Sequence, residues 1–563
     1  MFIFALLLFS VLPAHALERK IERISDFSCG LVLGDGYEHG SKPGSLNRGC
    51  SRDAENVYFS KKHGAVSARE KYISSLDSVA GDADAIVSWM GDFQDNSNNS
   101  YFIIRTSTEV LRCTNATPPV CTRLVLRTHP DYILDGIPYL NRMWMVNGTT
   151  STTAAVFSLD RDLNFEYHPQ APHNTLVSGF YNRVFIIAGF RNRLLITGAR
   201  GSESLLLFSG QDDGEDWTVG NQSTSPFNLR VGGNTNSEFV TCLMGVRNDA
   251  FYIGTLNKIY AVLGYSQDDF RLVEVANIGC LAPRSPVIFP EGDMIWLSRD
   301  GFYKMSGNSI EKISGNIDTL AKLIAVRALA HHTATGARFY NYSAANNNGD
   351  YWFSYTLDAS PGTTFAPNDT VLVYERPGNN WTSFTGIRAA SFVHNSGSCF
   401  SINDLYFGNS NGDGNVYSFG FQGSAKTGAT GCSGGTVESS YTAKFQLWPY
   451  DGGDASTLKA FETAYVVSDQ QPSEFFTSYS SMRTTVSYVM DADFLSAGSE
   501  IVVGTMTNVS SNRLQASRIN FGQSGVGSIP KGRWISLGFT SHLQYNPLLI
   551  EEIILYYSVI GRI

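Results

Sequence analysis

The sequence predicts an all-β protein: a β-propeller of about seven blades, range six to eight, followed by a C-terminal β-sandwich. Three observations predict it. A short hairpin pattern recurs at intervals of roughly 40 to 60 residues, the length of a four-stranded blade with loop insertions. The 53 glycines and 27 tyrosines tilt the composition toward strands and tight turns. Helical periodicity is confined to one stretch, Ile317 to Ala330, which is expected to make a short connection between blades.

The repeat is a polar turn followed by an apolar run. It reads Asn99-Ser-Tyr-Phe-Ile-Ile, Asn141-Arg-Met-Trp-Met-Val, Asn192-Arg-Leu-Leu-Ile-Thr, Asn248-Asp-Ala-Phe-Tyr-Ile-Gly, Gly292-Asp-Met-Ile-Trp-Leu-Ser, Gly349-Asp-Tyr-Trp-Phe-Ser-Tyr and Asn403-Asp-Leu-Tyr-Phe-Gly. Asn, Asp and Gly tolerate positive φ, which hairpin turns require. A pair of sandwiches could also use hairpins, but it has no need of seven similar ones at near-regular spacing. Trp217, Trp296 and Trp352 are expected to be buried between blades as packing residues.

The division of the chain follows from changes in texture. Residues 1–16 are a signal-like apolar segment or N-terminal arm, 17–80 an irregular leader, 81–422 the propeller, 423–436 a Gly-rich linker and 437–563 the sandwich, whose strands are longer and more regular. The apolar run of 1–16 ends in Ala14-His15-Ala16, which fits a secretory cleavage site, and it is too short to span a bilayer. The chain has eight cysteines, at Cys29, Cys50, Cys113, Cys121, Cys242, Cys280, Cys399 and Cys432, which fall into four locally spaced pairs. Sequential pairing would give structural disulfides in an oxidising compartment, whereas in the cytosol the same residues would be small buried hydrophobes.

Chemistry-bearing motifs are sparse. A formal net charge of −9 disfavours a protein that binds nucleic acid by neutralising phosphates. No zinc spacing, nucleophile elbow, Walker loop or dinucleotide fingerprint occurs, and His331-His332 lack a nearby cysteine. Asn409-Ser-Asn-Gly-Asp413-Gly414 begins like a calcium loop, but Gly420 stands where the bidentate Glu belongs, so it reads as a blade turn. Asp160 with Asp162, Glu291 with Asp293, and Glu551-Glu552 are turn carboxylates of the solvated kind. Sequons such as Asn115, Asn147, Asn341 and Asn380 mean little in a chain this rich in Asn, Ser and Thr. No catalytic, cofactor-binding or metal residue is therefore assigned, and no enzyme activity, cofactor or small-molecule substrate is expected.

Gly210-Gln-Asp-Asp-Gly-Glu-Asp-Trp217 resembles the Asp-box of sialidase-type propellers, with Gly210 in place of the hydroxyl residue. That box is a structural turn, so it argues for a blade, and glycoside hydrolysis is only a third reading. A broader resemblance covers most of the chain. The leader Ile24-Ser-Asp-Phe27, Gly30-Leu31, Asn56-Val-Tyr-Phe59, His63-Gly64 and Arg69 is similar to the N-terminal pattern of the tail nozzle, tail adaptor and packaged-DNA stabilisation proteins of short-tailed bacteriophages. The runs Asn192-Arg-Leu-Leu-Ile-Thr, Asn277-Ile-Gly-Cys-Leu-Ala-Pro283 and Trp296-Leu-Ser-Arg-Asp-Gly-Phe-Tyr303 resemble their blades, and Ile550-Glu-Glu-Ile-Ile-Leu-Tyr-Tyr ends a similar sandwich. The resemblance implies a structural virion protein in a homo-oligomeric ring around the DNA exit channel. It also implies contacts to other tail or portal/connector proteins, and DNA that passes without specific binding. The signal-like start and the cysteine pairs depart from that family. The alternative is a secreted or periplasmic bacterial propeller that binds glycans or surface proteins.

Overall fold

The computed structural model describes residues 19–33, 50–59, 65–69, 71–76, 86–106, 109–114, 120–126, 134–147, 156–168, 186–197, 204–218, 220, 222–232, 238–335, 342–357, 367–395, 404–410, 414–421, 438, 441–451, 454, 456–468, 482–490, 500–508, 515–521, 529–543 and 549–562. The signal-like segment, the Gly-rich linker, Cys399, Cys432 and the centre of the calcium-like turn lie outside them.

All seven repeats form the same element. Each apolar run is the second strand of a blade, and in blades 1 to 6 the polar residues before it make the turn from the blade's innermost strand. Blade 1 opens with Val87–Gln94 and Ser100–Thr106, blade 2 with Leu134–Tyr139 and Arg142–Asn147, and blade 3 with Ile186–Phe190 and Arg193–Thr197. Blade 4 follows with Val240–Arg247 and Ala250–Thr255, blade 5 with Val287–Ile288 and Met294–Ser298, blade 6 with Ser343–Asn347 and Asp350–Tyr355, and blade 7 with Ala389–Asn395 and Asp404–Asn409. Positive φ at Asn141, Asn192, Asn248, Asp249 and Asn348 shows why the turns are rich in Asn and Asp. Among the described residues, six blades stand as separate four-stranded sheets, and the four strands of blade 6 continue into a nine-stranded sheet.

Neighbouring blades bury apolar clusters between them, blades 5 and 6 as part of a larger core shared with the leader and sandwich, and this closes the ring. Trp144 and Trp217 fill the space between blades 2 and 3, Trp296 that between 4 and 5, and Trp352 that between 6 and 7. All three tryptophans expected to be buried are so, at 2% exposure or less. Phe102, Ile104 and Tyr406 join blade 1 to blade 7. Among the described residues one α-helix, Asp318–Thr335, runs between blades 5 and 6, with Ala321, Ile324, Ala325 and Ala328 packed inward.

Two boundaries differ from the sequence expectation. The leader, read as irregular, supplies five strands: Arg19–Ile24, Ser51–Glu55, Val57–Tyr58, Val66–Ala68 and Lys71–Leu76. The last of these is the outermost strand of blade 7, antiparallel to Val416–Phe421, so the start of the chain closes the propeller built from its middle. The sandwich is likewise not separate. Ser51–Glu55 pairs in parallel with the outer strand of blade 6 at Glu55 and Ser383, and antiparallel with Tyr441–Leu447 on its other side, fusing blade 6 to one sandwich sheet. Arg19–Ile24 and Val66–Ala68 pair with Leu549–Arg562 in the opposite sheet. These strands are short and their partners lie hundreds of residues away, so no local periodicity announces them.

Three disulfides, Cys29–Cys50, Cys113–Cys121 and Cys242–Cys280, follow the sequential pairing. The first ties the leader's opening turn to Ser51–Glu55, the second bridges a blade 1 hairpin, and the third lies in the core between blades 4 and 5.

Replacing Trp352 by Ala removes an indole from a closed inter-blade core and is expected to cost roughly 3 to 5 kcal/mol, read from denaturant unfolding. An unchanged midpoint would mean that the ring does not depend on this cluster.

Candidate functional site

The innermost strands bring together charged groups that the sequence keeps far apart. A register shift between Val87 and Trp89 puts Ser88 out of the blade 1 ladder, and its carbonyl accepts a hydrogen bond from Arg284 Nη1 at 2.7 Å. Arg284 itself stands at the entry to blade 5, with its own carbonyl bonded to Ala344 N of blade 6 at 2.9 Å. Its guanidinium thus reaches across the axis of the propeller. Arg105, on the second strand of blade 1, is buried near it, and burial together with the Arg284 charge pushes its pKa down to about 9. Asp135, on the inner strand of blade 2, accepts from Gly136 N at 3.0 Å and Ile187 N at 3.2 Å. Burial raises its pKa, and Arg284 acts in the opposite direction. This constellation gathers two arginines and one carboxylate on the inner strands of blades 1 and 2 and the entry to blade 5.

A second cluster lies at the rim between blades 2 and 3. Arg142 Nη1 donates to Ser158 Oγ at 3.2 Å and Glu166 Oε2 at 3.0 Å, and it pairs with Glu215 Oε1 at 2.8 Å. Ser158 Oγ lies 2.8 Å from His168 Nε2, and the imidazole stacks on Trp144 with ring centroids 4.6 Å apart. Ligand atoms of Glu166, His168 and Glu215 come within 4.8 Å of one another, close enough for a cation. The single Arg142 guanidinium supplies positive charge to both carboxylates and offsets one of the two negative charges.

The motifs singled out in the sequence fall at turns. In the Asp-box-like loop, Gly210 N donates to Asp216 O at 2.8 Å and Trp217 Nε1 donates to Gly214 O at 3.0 Å, so the box holds a hairpin and seats its Trp. Asp160 accepts from Asn164 N at 2.8 Å and shapes its own turn, while Asp162 takes a bond from Asn96 on blade 1. Glu291 and Asp293 both pair with Arg376, and Glu552 lies 3.8 Å from Arg23. Asn380 is fully buried and donates to Ser28 O at 2.9 Å, which excludes it as a glycosylation acceptor in the folded chain. Asn115, Asn341 and the side chains of Asn147, His331 and His332 lie outside the described residues. Sequence reading missed Arg105, Asp135, Arg284 and the Arg142 cluster. The signal was the rare charged residue inside an apolar run, as in Arg105 after Phe102-Ile-Ile.

No family model matches the chain, and no curated protein matches it. Among solved structures, the chain is similar to the extracellular domain of a proposed hybrid two component system of B. thetaiotaomicron, at 9% identity and a TM-score of 0.39, over 89% of this chain and 62% of that one. It is also similar to the extracellular domain of a proposed one component system of B. thetaiotaomicron, at 11% identity and a TM-score of 0.29, over 60% of this chain and 57% of that one. A proposed 6-phosphogluconolactonase of Bacteroides fragilis aligns at 10% identity and a TM-score of 0.33, over 57% of this chain and 87% of that one. The chain spans less than two thirds of the length of the first two.

The His168 environment sets a pH dependence. Burial lowers its folded pKa below the ordinary value of 6.5, so the unfolded chain binds a proton more readily than the folded one. Its contribution to stability is complete above about pH 6.5 and is lost as the pH falls toward the folded pKa. Melting curves from pH 7.5 to 5 are expected to fall less steeply in His168→Gln than in the wild type. Parallel curves would remove His168 as the titrating group.

Proposed function

We propose that the protein is an extracytoplasmic bacterial β-propeller that binds glycans or surface proteins and has no catalytic role. The observation that carries this reading is the set of three disulfides. Such bonds persist in oxidising compartments and are rare where glutathione and thioredoxin keep thiols reduced. A chain with a large core of its own does not need them to fold, so their presence points to the setting in which it works. The signal-like segment at 1–16 agrees with it. Inner-strand charges and turn carboxylates are engaged in local bonds, which leaves the outer loops and rims as the surfaces for recognition.

A structural role in a short bacteriophage tail is the second reading, and one observation favours it. Phe27, Leu31, Asn56, Val57, Phe59 and Arg69, which carry the resemblance to tail nozzle and adaptor proteins, are all buried where the leader meets propeller and sandwich. A shared leader pattern committed to one structural joint fits a shared architecture. In that reading the chain forms a closed ring on a virion connector and DNA passes without being held. Electron microscopy of virions, or of the protein mixed with its connector partner, decides it: a closed ring supports the tail reading, and a protein that stays monomeric there ends it.

The first reading is tested by alkylating the native protein in cell fractions before reduction. The expected outcome is protein in the envelope or medium with Cys29, Cys50, Cys113, Cys121, Cys242 and Cys280 protected until a reductant is added. Reduction is then expected to lower stability by roughly 2 to 4 kcal/mol per bond. Cytosolic protein with all six thiols alkylated would overturn the reading.

A further inference from the structure

The register of blade 2 gathers polar groups on one of its faces. Trp144 lies opposite Ser158, and Ser158 opposite Glu166, across the strands Arg142–Asn147, Val156–Asp160 and Phe165–Tyr167. His168 N donates to Val156 O at 3.0 Å, which carries the ladder past the last of these strands. Side chains alternate along a strand, so Arg142 and His168, each two residues from a member of that row, fall on the same face. The Asp-box-like loop of blade 3 lays Glu215 against this face. Asp213 Oδ1 accepts from Glu215 N at 2.8 Å, and Gly214 passes so near the Trp144 indole that an added Cβ would stand 2.5 Å from its Cζ2.

Three observations point to a ligand at this junction. Ligand atoms of Glu166, His168 and Glu215 already lie within 4.8 Å of one another. His168 is only 7% exposed, and while Ser158 Oγ occupies its Nε2, its Nδ1 has no hydrogen-bond partner among the described residues. A hydroxyl oxygen has two lone pairs, so Ser158 Oγ, which accepts from Arg142 Nη1, accepts from Nε2–H as well and leaves Nδ1 with a lone pair to donate. An imidazole that ligates a metal through one nitrogen is oriented in this way by a bond from the other. Finally, Arg142 Nη1 stands 3.0 Å from Glu166 Oε2 and 2.8 Å from Glu215 Oε1, so a cationic nitrogen already marks the place where positive charge is favoured, with one charge set against two.

We propose that Glu166, His168 and Glu215 bind a divalent transition-metal ion of the Zn²⁺ class, which clamps blade 2 to blade 3 and takes the place of Arg142 Nη1 between the carboxylates. An imidazole nitrogen with two carboxylate oxygens suits zinc, whereas calcium and magnesium take oxygen ligands. Zinc bonds of about 2.0 to 2.2 Å bring tetrahedral ligand atoms to roughly 3.3 Å from one another. Glu166 and Glu215, at 54% and 49% exposure, close that gap by side-chain rotation, and Arg142, at 28%, has solvent to withdraw into. The site is made of this chain's own residues and does not rest on the compartment or the binding partner proposed above.

The test titrates Zn²⁺ into the untagged full chain, first stripped with a chelator, and follows binding by calorimetry and by the rise in melting temperature. The wild type is expected to bind zinc saturably and to melt higher when loaded. Glu215→Gln and His168→Gln are each expected to weaken binding by at least about tenfold, no less than the loss of an outer-shell partner. Glu215→Gln is expected to melt close to the wild type without metal, because an exposed ion pair contributes little, so its loss of binding does not come from misfolding. Arg142→Gln is expected to bind zinc at least about fivefold more tightly, since one like charge about 4 Å away costs that factor even in water-like surroundings. An arginine with a purely structural role would give no such gain. No saturable zinc binding, binding unchanged in both Glu215→Gln and His168→Gln, or binding no tighter in Arg142→Gln would each overturn the proposal. Calcium bound as tightly as zinc would overturn the assignment to a transition metal in favour of a hard-cation site.

Discussion

One buried guanidinium holds the three parts of this chain in register. Arg69 is bound to both oxygens of Glu438 at 2.9 and 2.7 Å, its Nε donates to Asn56 Oδ1 at 2.7 Å, and its plane lies 4.0 Å from the centre of the Tyr441 ring. Asn56 in turn donates to Thr385 Oγ1 and Thr442 O, and accepts from Thr385 N. Leader, blade 6 and sandwich therefore meet at one hydrogen-bonded knot. Burial alone would disfavour the charge on Arg69, and the paired carboxylate of Glu438 outweighs it. Breaking such a pair leaves an unpaired charge in the interior, which typically costs about 3 to 5 kcal/mol, so the joint tolerates no partial version of itself.

That knot explains the unusual path of the chain. A propeller needs its last blade completed, and here the completing strand, Lys71–Leu76, comes from the leader, only two residues beyond Arg69. The same leader has already placed Ser51–Glu55 between blade 6 and the sandwich. Ring closure and sandwich assembly are thus coupled through about twenty residues, and the largest apolar core runs continuously from blades 5 and 6 through the helix and leader into the sandwich. Such an arrangement joins two architectures through a shared sheet and a shared core. The features open to a partner are then the rims and turns, such as the exposed Leu140 at positive φ.

The blades were legible because their physics is local. An Asn or Asp turn at positive φ followed by an apolar strand is written within some ten residues, and all seven copies became second strands. The tryptophans were legible for the same reason, since a large aromatic in an apolar run has nowhere to go except the space between sheets. The leader was not. Its strands are two to six residues long, and one of them pairs in parallel through the single contact of Glu55 with Ser383.

By itself the sequence determined the class of fold, the identity of the hairpins, the buried tryptophans and the local pairing of the cysteines that are described, because each depends on residues near one another along the chain. Only the tertiary structure decided that the leader closes the propeller, that blade 6 and the sandwich share a sheet, and that the charge of Arg284 reaches Asp135. The cluster of Glu166, His168 and Glu215 belongs to the second group as well. Its groups are brought together only when blade 2 packs against blade 3, and their closeness is a property of that packing rather than of any residue read alone.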